Sequence, residues 1–355
     1  MEPILAIWDG LYLNGYANPP DLISQADLEP YVQDTLNELE FIMGPVSSTY
    51  GALRAKLGYP QPWTIKYVEI GNEDNIGYPE PSYVAYRYAA FANAIQAKYP
   101  DITVMSSTGD FEAVSPGSAT DYHNYNRPDI FVSIWDRWDN LAEAEHLTLI
   151  GEFASIQGNV LPIGTPVDWS APRVPWPTWV GSVAEAIFEI GAERNSYGIL
   201  GMSYAPTLQN VNNYQWTPDL ISFSADNSAD VLSTSYHVIQ LFSNSRYTST
   251  VPTTITSNDT YGPNYWVAGT SGPGKFTLKA AVYNATETQA YNVKFDGLAT
   301  GAKATLTVLN APDGLSNNVY GGPDIVSKTV STIIAGSDGV LAFELENYAV
   351  AVLTT

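Results

Sequence analysis

The sequence predicts an α/β part joined to an all-β part: an incomplete (β/α)8 TIM barrel of about six strands, then a C-terminal antiparallel β-sandwich. Three observations predict it. Short apolar runs alternate with helix-length segments from Ile4 to Phe242, which is the pattern of a parallel sheet with its crossovers. Beyond about Asn244 the helical spacing stops, and Thr, Ser, Val and Gly appear in short alternating runs, as in an antiparallel sandwich. Two of the early strands run into polar clusters that contain glutamate, at the strand ends where a barrel keeps its working surface. The composition shift near Arg246 sets the expected domains at residues 1–246 and 247–355, packed together without a linker.

Taken in order, Ile4 to Trp8 is a fully apolar strand, and a helix follows from about Asp27 to Met43 with Leu28, Val32, Leu36, Leu39 and Phe41 on one side. Lys66 to Ile70 alternates and ends at Gly71. Pro81 starts a helix to about Lys98, and Pro100-Asp101 ends it before the strand Ile102 to Ser106. Asp121 to Tyr125 is a short strand, Asn140 to His146 a helix end, and Leu147 to Glu152 another strand. Ser155 to Pro177 is proline-rich and too long for a passive connection. Gly181 to Ala192 is a helix, Ile199 to Tyr204 the sixth strand and Ser233 to Phe242 the last helix. Lys275 to Tyr283, Thr305 to Leu309 and Val340 to Glu344 are the clearest sandwich strands.

The chain has 355 residues, 45% hydrophobic and 12% aromatic, enough for one large and one smaller core. With 15 basic against 37 acidic residues its formal charge is -22, which repels nucleic acid and anionic membranes and leaves neutral polymers as partners. No apolar run approaches the ~20 residues of a membrane span. Met1 to Trp8 carries neither the basic region nor the cleavage site of a leader. Cysteine is absent, which excludes disulfides and thiolate metal sites. The sequons Asn258-Asp-Thr260 and Asn284-Ala-Thr286 fit a secreted, extracellular glycoprotein.

Lys66-Tyr-Val-Glu-Ile-Gly-Asn-Glu73 places a carboxyl at the mouth of a strand, where partial burial suits a general acid. Taken alone, the stretch reads equally well as a strand and a polar loop. A second carboxyl, Glu152, again follows a glycine at a strand end. Two glutamates so placed, if brought to about 5 to 5.5 Å apart, make the acid/base and nucleophile pair of a retaining glycosidase.

Ile-Gly-Asn-Glu at 70–73, Gly-Glu-Phe-Ala-Ser at 151–155 and the block from Tyr204 to Leu220 resemble the fungal-type α-L-arabinofuranosidases of glycoside hydrolase family 51. The resemblance runs almost from Met1 to the C-terminus. It implies that Glu73 closes the fourth barrel strand as acid/base and that Glu152 closes the seventh as nucleophile. By the same count Ile4 to Trp8 is the third strand. The expectation is therefore a C-terminal part lacking the first barrel strands, poorly active alone and completed by an N-terminal fragment.

His123 and Tyr125 are two apart on one strand and share a face. A lone histidine is usually a satisfied core residue, but the family places a His-x-Tyr here. The resemblance has His123 orient the acid/base or bind a sugar hydroxyl, and Tyr125 donate to the nucleophile. It gives Asn72 the sugar 2-hydroxyl, and Gln215 and Trp216 a sugar hydroxyl or ring. Trp169, Trp176 and Trp179 stand over the barrel mouth or pack beneath the long loop. His146 and His237 receive no chemistry. The spacings of zincins, nucleophile elbows and phosphate loops are absent, so no metal and no cofactor is expected. The implied activity is release of terminal α-L-arabinofuranosyl residues from arabinose-substituted polysaccharide. The alternatives are another retaining glycosidase, such as a β-xylosidase or endo-glucanase, or a non-catalytic carbohydrate-binding protein.

Overall fold

In the computed structural model, which describes residues 2–12, 14, 17–109, 118–139, 147–255 and 260–355, six parallel strands lie side by side in chain order. They are β1 (Ile4–Ile7), β2 (Tyr67–Ile70), β3 (Thr103–Ser106), β4 (Ala119–Asn126), β5 (Leu147–Ser155) and β6 (Ile199–Tyr204). Their apolar residues pair across the sheet, Leu5 beside Val68 and Val68 beside Val104. Parallel strands covered on both faces read as near-continuous apolar runs, as Val68, Val104 and Ile150 show in β2, β3 and β5, whereas β4 is largely polar.

The helices are α1 (Glu29–Met43), α2 (Thr49–Lys56), α3 (Glu80–Ser82), α4 (Tyr88–Lys98), α5 (Pro128–Ser133), α6 (Trp179–Arg194) and α7 (Thr234–Asn244). The expected face is present, with Leu28 just before α1 and Val32 and Leu39 on it buried. A single π-type turn, Tyr83–Arg87, joins α3 to α4. Helices α2 and α5 were not expected. α2 has no apolar stripe; it is capped by Ser48, whose side chain accepts the Gly51 N–H, and pinned by the fully buried Arg54. The Arg54 guanidinium donates to the carbonyls of Tyr59, Phe41, Ile42, Gly44 and Pro60. α6 is buried from Trp179 to Ala192, its polar Ser182, Glu185 and Glu189 included.

Between β6 and α7 lies a small sheet of β7 (Leu208–Asn210), β8 (Ile221–Phe223) and β9 (Val231–Leu232). Among the described residues after α7 the regular elements are strands: β10 (Ser249–Thr250), β11 (Asn264–Gly272), β12 (Lys275–Val282), β13 (Gln289–Lys294), β14 (Lys303–Asn310), β15 (Ser327–Ile334), β16 (Val340–Leu345) and β17 (Val350–Thr354). They form an antiparallel sheet of order β10-β11-β12-β17-β14-β15 and an antiparallel pair β13-β16. Alternate residues of β16, Leu341, Phe343 and Leu345, enter one core with Leu278, Ala280, Val282, Ala351 and Leu353.

By internal contacts the chain forms two compact units. One is Met1–His123 with Ala142–Gly151, the other Asn124–Leu141 with Glu152–Thr355. The second unit therefore holds α5, α6, β6 and α7 together with the sandwich. Within it Trp179 Nε1 donates to the Tyr348 carbonyl at 3.0 Å, and Lys279 pairs with Glu193 and donates to the Phe242 carbonyl. The change from helices to strands falls beside Arg246, whereas the units divide on β4 and β5. The helix end expected at Asn140 to His146, with His146 itself, and the sequon residue Asn258 lie outside the described residues.

Candidate active site

In the first unit Glu73 lies in the turn that follows β2, three residues beyond Ile70. Its φ is 53°, the left-handed region, which costs a non-glycine residue roughly 1 to 2 kcal/mol. Buried groups hold the turn in that shape. The Asp74 carboxylate accepts from the Ser107 hydroxyl at 2.8 Å and from the Asn72 N–H at 3.2 Å. Its other oxygen is 2.6 Å from Arg87 Nη1, an ion pair rather than an aligned hydrogen bond. Arg87 also pairs with Asp9, and all three side chains are buried. Arg87 further donates to Ser82 Oγ at 2.9 Å and to the Pro79 carbonyl at 3.1 Å.

One guanidinium between two carboxylates leaves an uncompensated negative charge in a buried place. Burial first, then Asp74, pushes the Asp9 carboxyl up to about 7 against the pull of Arg87. The π-type turn explains the aim of these groups. Its wider spacing stacks Arg87 over the Tyr83 ring at 5.3 Å, and the Tyr83 hydroxyl donates to the Ile70 carbonyl and accepts from the Ser107 N–H. Gly71, with φ of +86°, leaves no room for a side chain, since a Cβ there would lie 2.1 Å from Asp74 Oδ2.

On β4, Asp121 and His123 share a face, as residues two apart do. His123 Nδ1 is 3.0 Å from Glu73 Oε1, and its Nε2 is 2.7 Å from Asp121 Oδ2. The second oxygen of Asp121 accepts the Gly151 N–H at 2.8 Å. Glu69, Asp121 and His123 bring ligand atoms within 4.8 Å of one another. Both imidazole nitrogens are already engaged by carboxylates, so the histidine can ligate a metal ion only by releasing one of them.

In the second unit Glu152 is the sixth residue of β5 and the Tyr125 hydroxyl donates to its Oε2. The Tyr125 ring packs against Trp216 with centroids 5.1 Å apart, and Trp216 in turn meets Trp169 at 6.3 Å. The Arg173 guanidinium stands 3.9 Å over the Trp216 ring. Trp169 and Arg173 belong to the loop from Ser155 to Pro177, which has no regular element. Gln157 fastens it through the Asp168 N–H and carbonyl, and Arg127 through the carbonyls of Pro166 and Gly158.

The structure thus places His123 on Glu73, Tyr125 on Glu152 and Trp216 against the Tyr125 ring. Asn72 and Gln215 are exposed, Asn72 in the turn beside Glu73. Of the three tryptophans assigned to the loop, Trp169 is exposed, whereas Trp179 is wholly buried in α6 and serves packing. Sequence reasoning missed Asp121, although its period with His123 and Tyr125 was in view, and it missed Asp74, Asp9, Arg87 and Arg173.

Residues 1–143 match the α-L-arabinofuranosidase 1 domain, and residues 152–349 match the α-L-arabinofuranosidase C-terminal domain. The chain is 40% identical over 358 residues to a probable α-L-arabinofuranosidase A of Aspergillus terreus, covering 100% of this chain and 52% of the relative. It is 40% identical over 357 residues to α-L-arabinofuranosidase A of Aspergillus kawachii, covering 99% and 52%. The chain spans about half the length of the curated relatives it matches. Among solved structures, the arabinose-bound α-L-arabinofuranosidase MgGH51 superposes with a TM-score of 0.86 at 31% identity, covering 100% of this chain and 54% of that one. The Thermotoga maritima α-L-arabinofuranosidase in its arabinose complex superposes at 0.73 with 16% identity, over 91% of this chain and 73% of that one, a likeness of fold. With the motifs Ile-Gly-Asn-Glu and Gly-Glu-Phe-Ala-Ser both present, and with both domain families matched in order, the chain belongs to the α-L-arabinofuranosidases of glycoside hydrolase family 51.

Proposed function

We propose that this chain carries the catalytic pair of a retaining, exo-acting α-L-arabinofuranosidase that frees terminal non-reducing arabinofuranosyl residues from plant cell-wall polysaccharides such as arabinoxylan and arabinan. Glu152 attacks the anomeric carbon while Glu73 protonates the departing oxygen. Glu73 then takes a proton from the water that releases the sugar. Tyr125 holds the nucleophile by its Oε2. Asn72 meets the sugar 2-hydroxyl, and Trp216, flanked by Tyr125 and Arg173, presents an apolar ring to the sugar. Gln215 reaches a sugar hydroxyl from the same block.

The observation that carries the reading is that each glutamate is bonded to the residue expected to serve it, Glu73 to His123 and Glu152 to Tyr125. The test is leaving-group dependence. Glu73→Ala should spare aryl arabinofuranosides whose leaving group needs no proton, and Glu152→Ala should abolish turnover of all of them. Azide should rescue the two variants with opposite anomeric products. Equal loss for Glu73→Ala on activated and unactivated substrates would make the acid/base assignment wrong.

Among the described residues the sheet ends at β1 and β6, and such edges favour a partner that adds parallel strands. The partner of this reading is an N-terminal fragment of the same enzyme. Co-expression with it should raise soluble yield and turnover, and unchanged values would count against it. The place of action is extracellular. Asn284, exposed in the turn after β12, is the glycan acceptor that fits, and a mass shift on amidase treatment checks it.

A further inference from the structure

In its compact unit His123 faces three carboxyl groups, those of Glu73, Asp121 and Glu69. A neutral imidazole has one N–H, so it can donate to only one of the two groups that touch its nitrogens. Asp121 is the closer, at 2.7 Å against 3.0 Å for Glu73, and the more enclosed, with its side chain 3% exposed against 28%. Its position is set independently of the histidine, because Oδ1 is taken by the Gly151 N–H. Glycine at 151 is part of that arrangement, since a Cβ there would lie 2.3 Å from the same oxygen.

We propose that Asp121 is a positioning residue: it accepts the Nε2–H of His123 and so fixes the tautomer whose Nδ1 is a bare acceptor toward Glu73. The hydrogen bond at 3.0 Å is then made by a proton on Glu73 Oε1. In the other form of the pair, a Glu73 carboxylate faces an imidazolium whose charge Asp121 balances. Either way the proton that a general acid must deliver is stored at this contact. The kinetic consequence rests on the reading of Glu73 as acid/base, whereas the tautomer does not.

The experiment is Asp121→Asn, which keeps the shape. Its amide oxygen can still accept the Gly151 N–H, but its NH2 group then faces Nε2 and demands an acceptor there. The ring proton moves to Nδ1 and donates to a Glu73 carboxylate, which disfavours the protonated acid. The chain has three histidines, so imidazole 15N NMR resolves His123, identified by its loss in His123→Gln. The expected result is Nε2–H in the unaltered chain and Nδ1–H in Asp121→Asn. Turnover of unactivated arabinosides should fall roughly 10²-fold while activated aryl arabinosides fall far less, and the high-pH limb of the rate profile should move to lower pH.

An Nδ1–H tautomer in the unaltered chain overturns the proposal even if the variant fails to fold. So does equal loss on both leaving-group classes, which is the signature of a merely structural aspartate. If Glu73→Ala itself shows no leaving-group dependence, the acid/base reading fails, and the tautomer measurement still decides the role of Asp121.

Discussion

Replacing Arg87 by methionine should cost about 4 kcal/mol of stability at slightly alkaline pH, because it removes the one cation between two buried carboxylates. Methionine keeps most of the apolar stem, so lost packing is minor. What remains is the charge left behind. Breaking a buried ion pair by deleting one partner costs about 3 to 5 kcal/mol, and the freed Pro79 carbonyl and Ser82 hydroxyl add about 1 kcal/mol each. Proton uptake by Asp9 offsets part of this.

That uptake sets the pH dependence. Asp9 stands at about 7 in the folded chain against an ordinary 3.8, so the folded state binds its proton more tightly than the unfolded state does. Its contribution to stability is fully present below pH 3.8 and is lost as pH rises through about 7. Without Arg87, which pulls Asp9 down, the loss continues to higher pH in the variant after the unaltered chain has levelled off. Urea unfolding followed by tryptophan fluorescence should therefore show a larger penalty at pH 8.5 than at pH 6. Adding Asp9→Asn to Arg87→Met should recover a good part of it. A penalty under about 1 kcal/mol, or one equal at the two pH values, would refute the view that this triad braces the Glu73 turn.

Gly151→Ala should break the Gly151–Asp121 bond and lower stability by about 2 kcal/mol, read as a fall in Tm. Tyr125→Phe removes the donor to Glu152; kcat should drop about tenfold or more while Tm changes little, since the ring packing on Trp216 survives. Glu185 is wholly buried and pushed up to about 7 by that burial, despite donors from Ser235 and the Ser155 N–H. Folded Glu185 binds its proton more tightly than unfolded, so stability should fall as pH rises from 4.5 through 7, and Glu185→Gln should flatten that fall in Tm measured from pH 5 to 8.

Most of the parallel strands are legible through buried apolar residues such as Val68, Val104 and Ile150, whereas β4 is largely polar, and the sandwich is legible through alternation such as Leu341, Phe343 and Leu345. α2 was hidden because its stability comes from Arg54, whose five carbonyl partners lie outside the helix and carry no side-chain signature. α5 was too short for a period to show. In the site, the residues visible beforehand were those next to a recognisable strand end or sharing its two-residue period. Asp9 and Arg87 meet across 78 positions through a π-type turn, which shifts the helical register that a sequence period would assume. No pattern in one sequence marks that meeting.

The two glutamates share a construction that explains why each follows a glycine. Gly71 stands two residues before Glu73, and Gly151 one residue before Glu152. At each, the space a Cβ would fill is taken by an aspartate oxygen, from Asp74 at 2.1 Å and from Asp121 at 2.3 Å. Each aspartate accepts a backbone N–H, that of Asn72 just past β2 or that of Gly151 within β5, and so holds the main chain close to a glutamate. The same aspartates pass the constraint on, Asp74 to Arg87 and Asp121 to His123. Glycine here is less a hinge than a close-approach point. It lets a charged side chain touch the main chain, and so ties the positions of Glu73 and Glu152 to buried ionic groups rather than to loop packing alone.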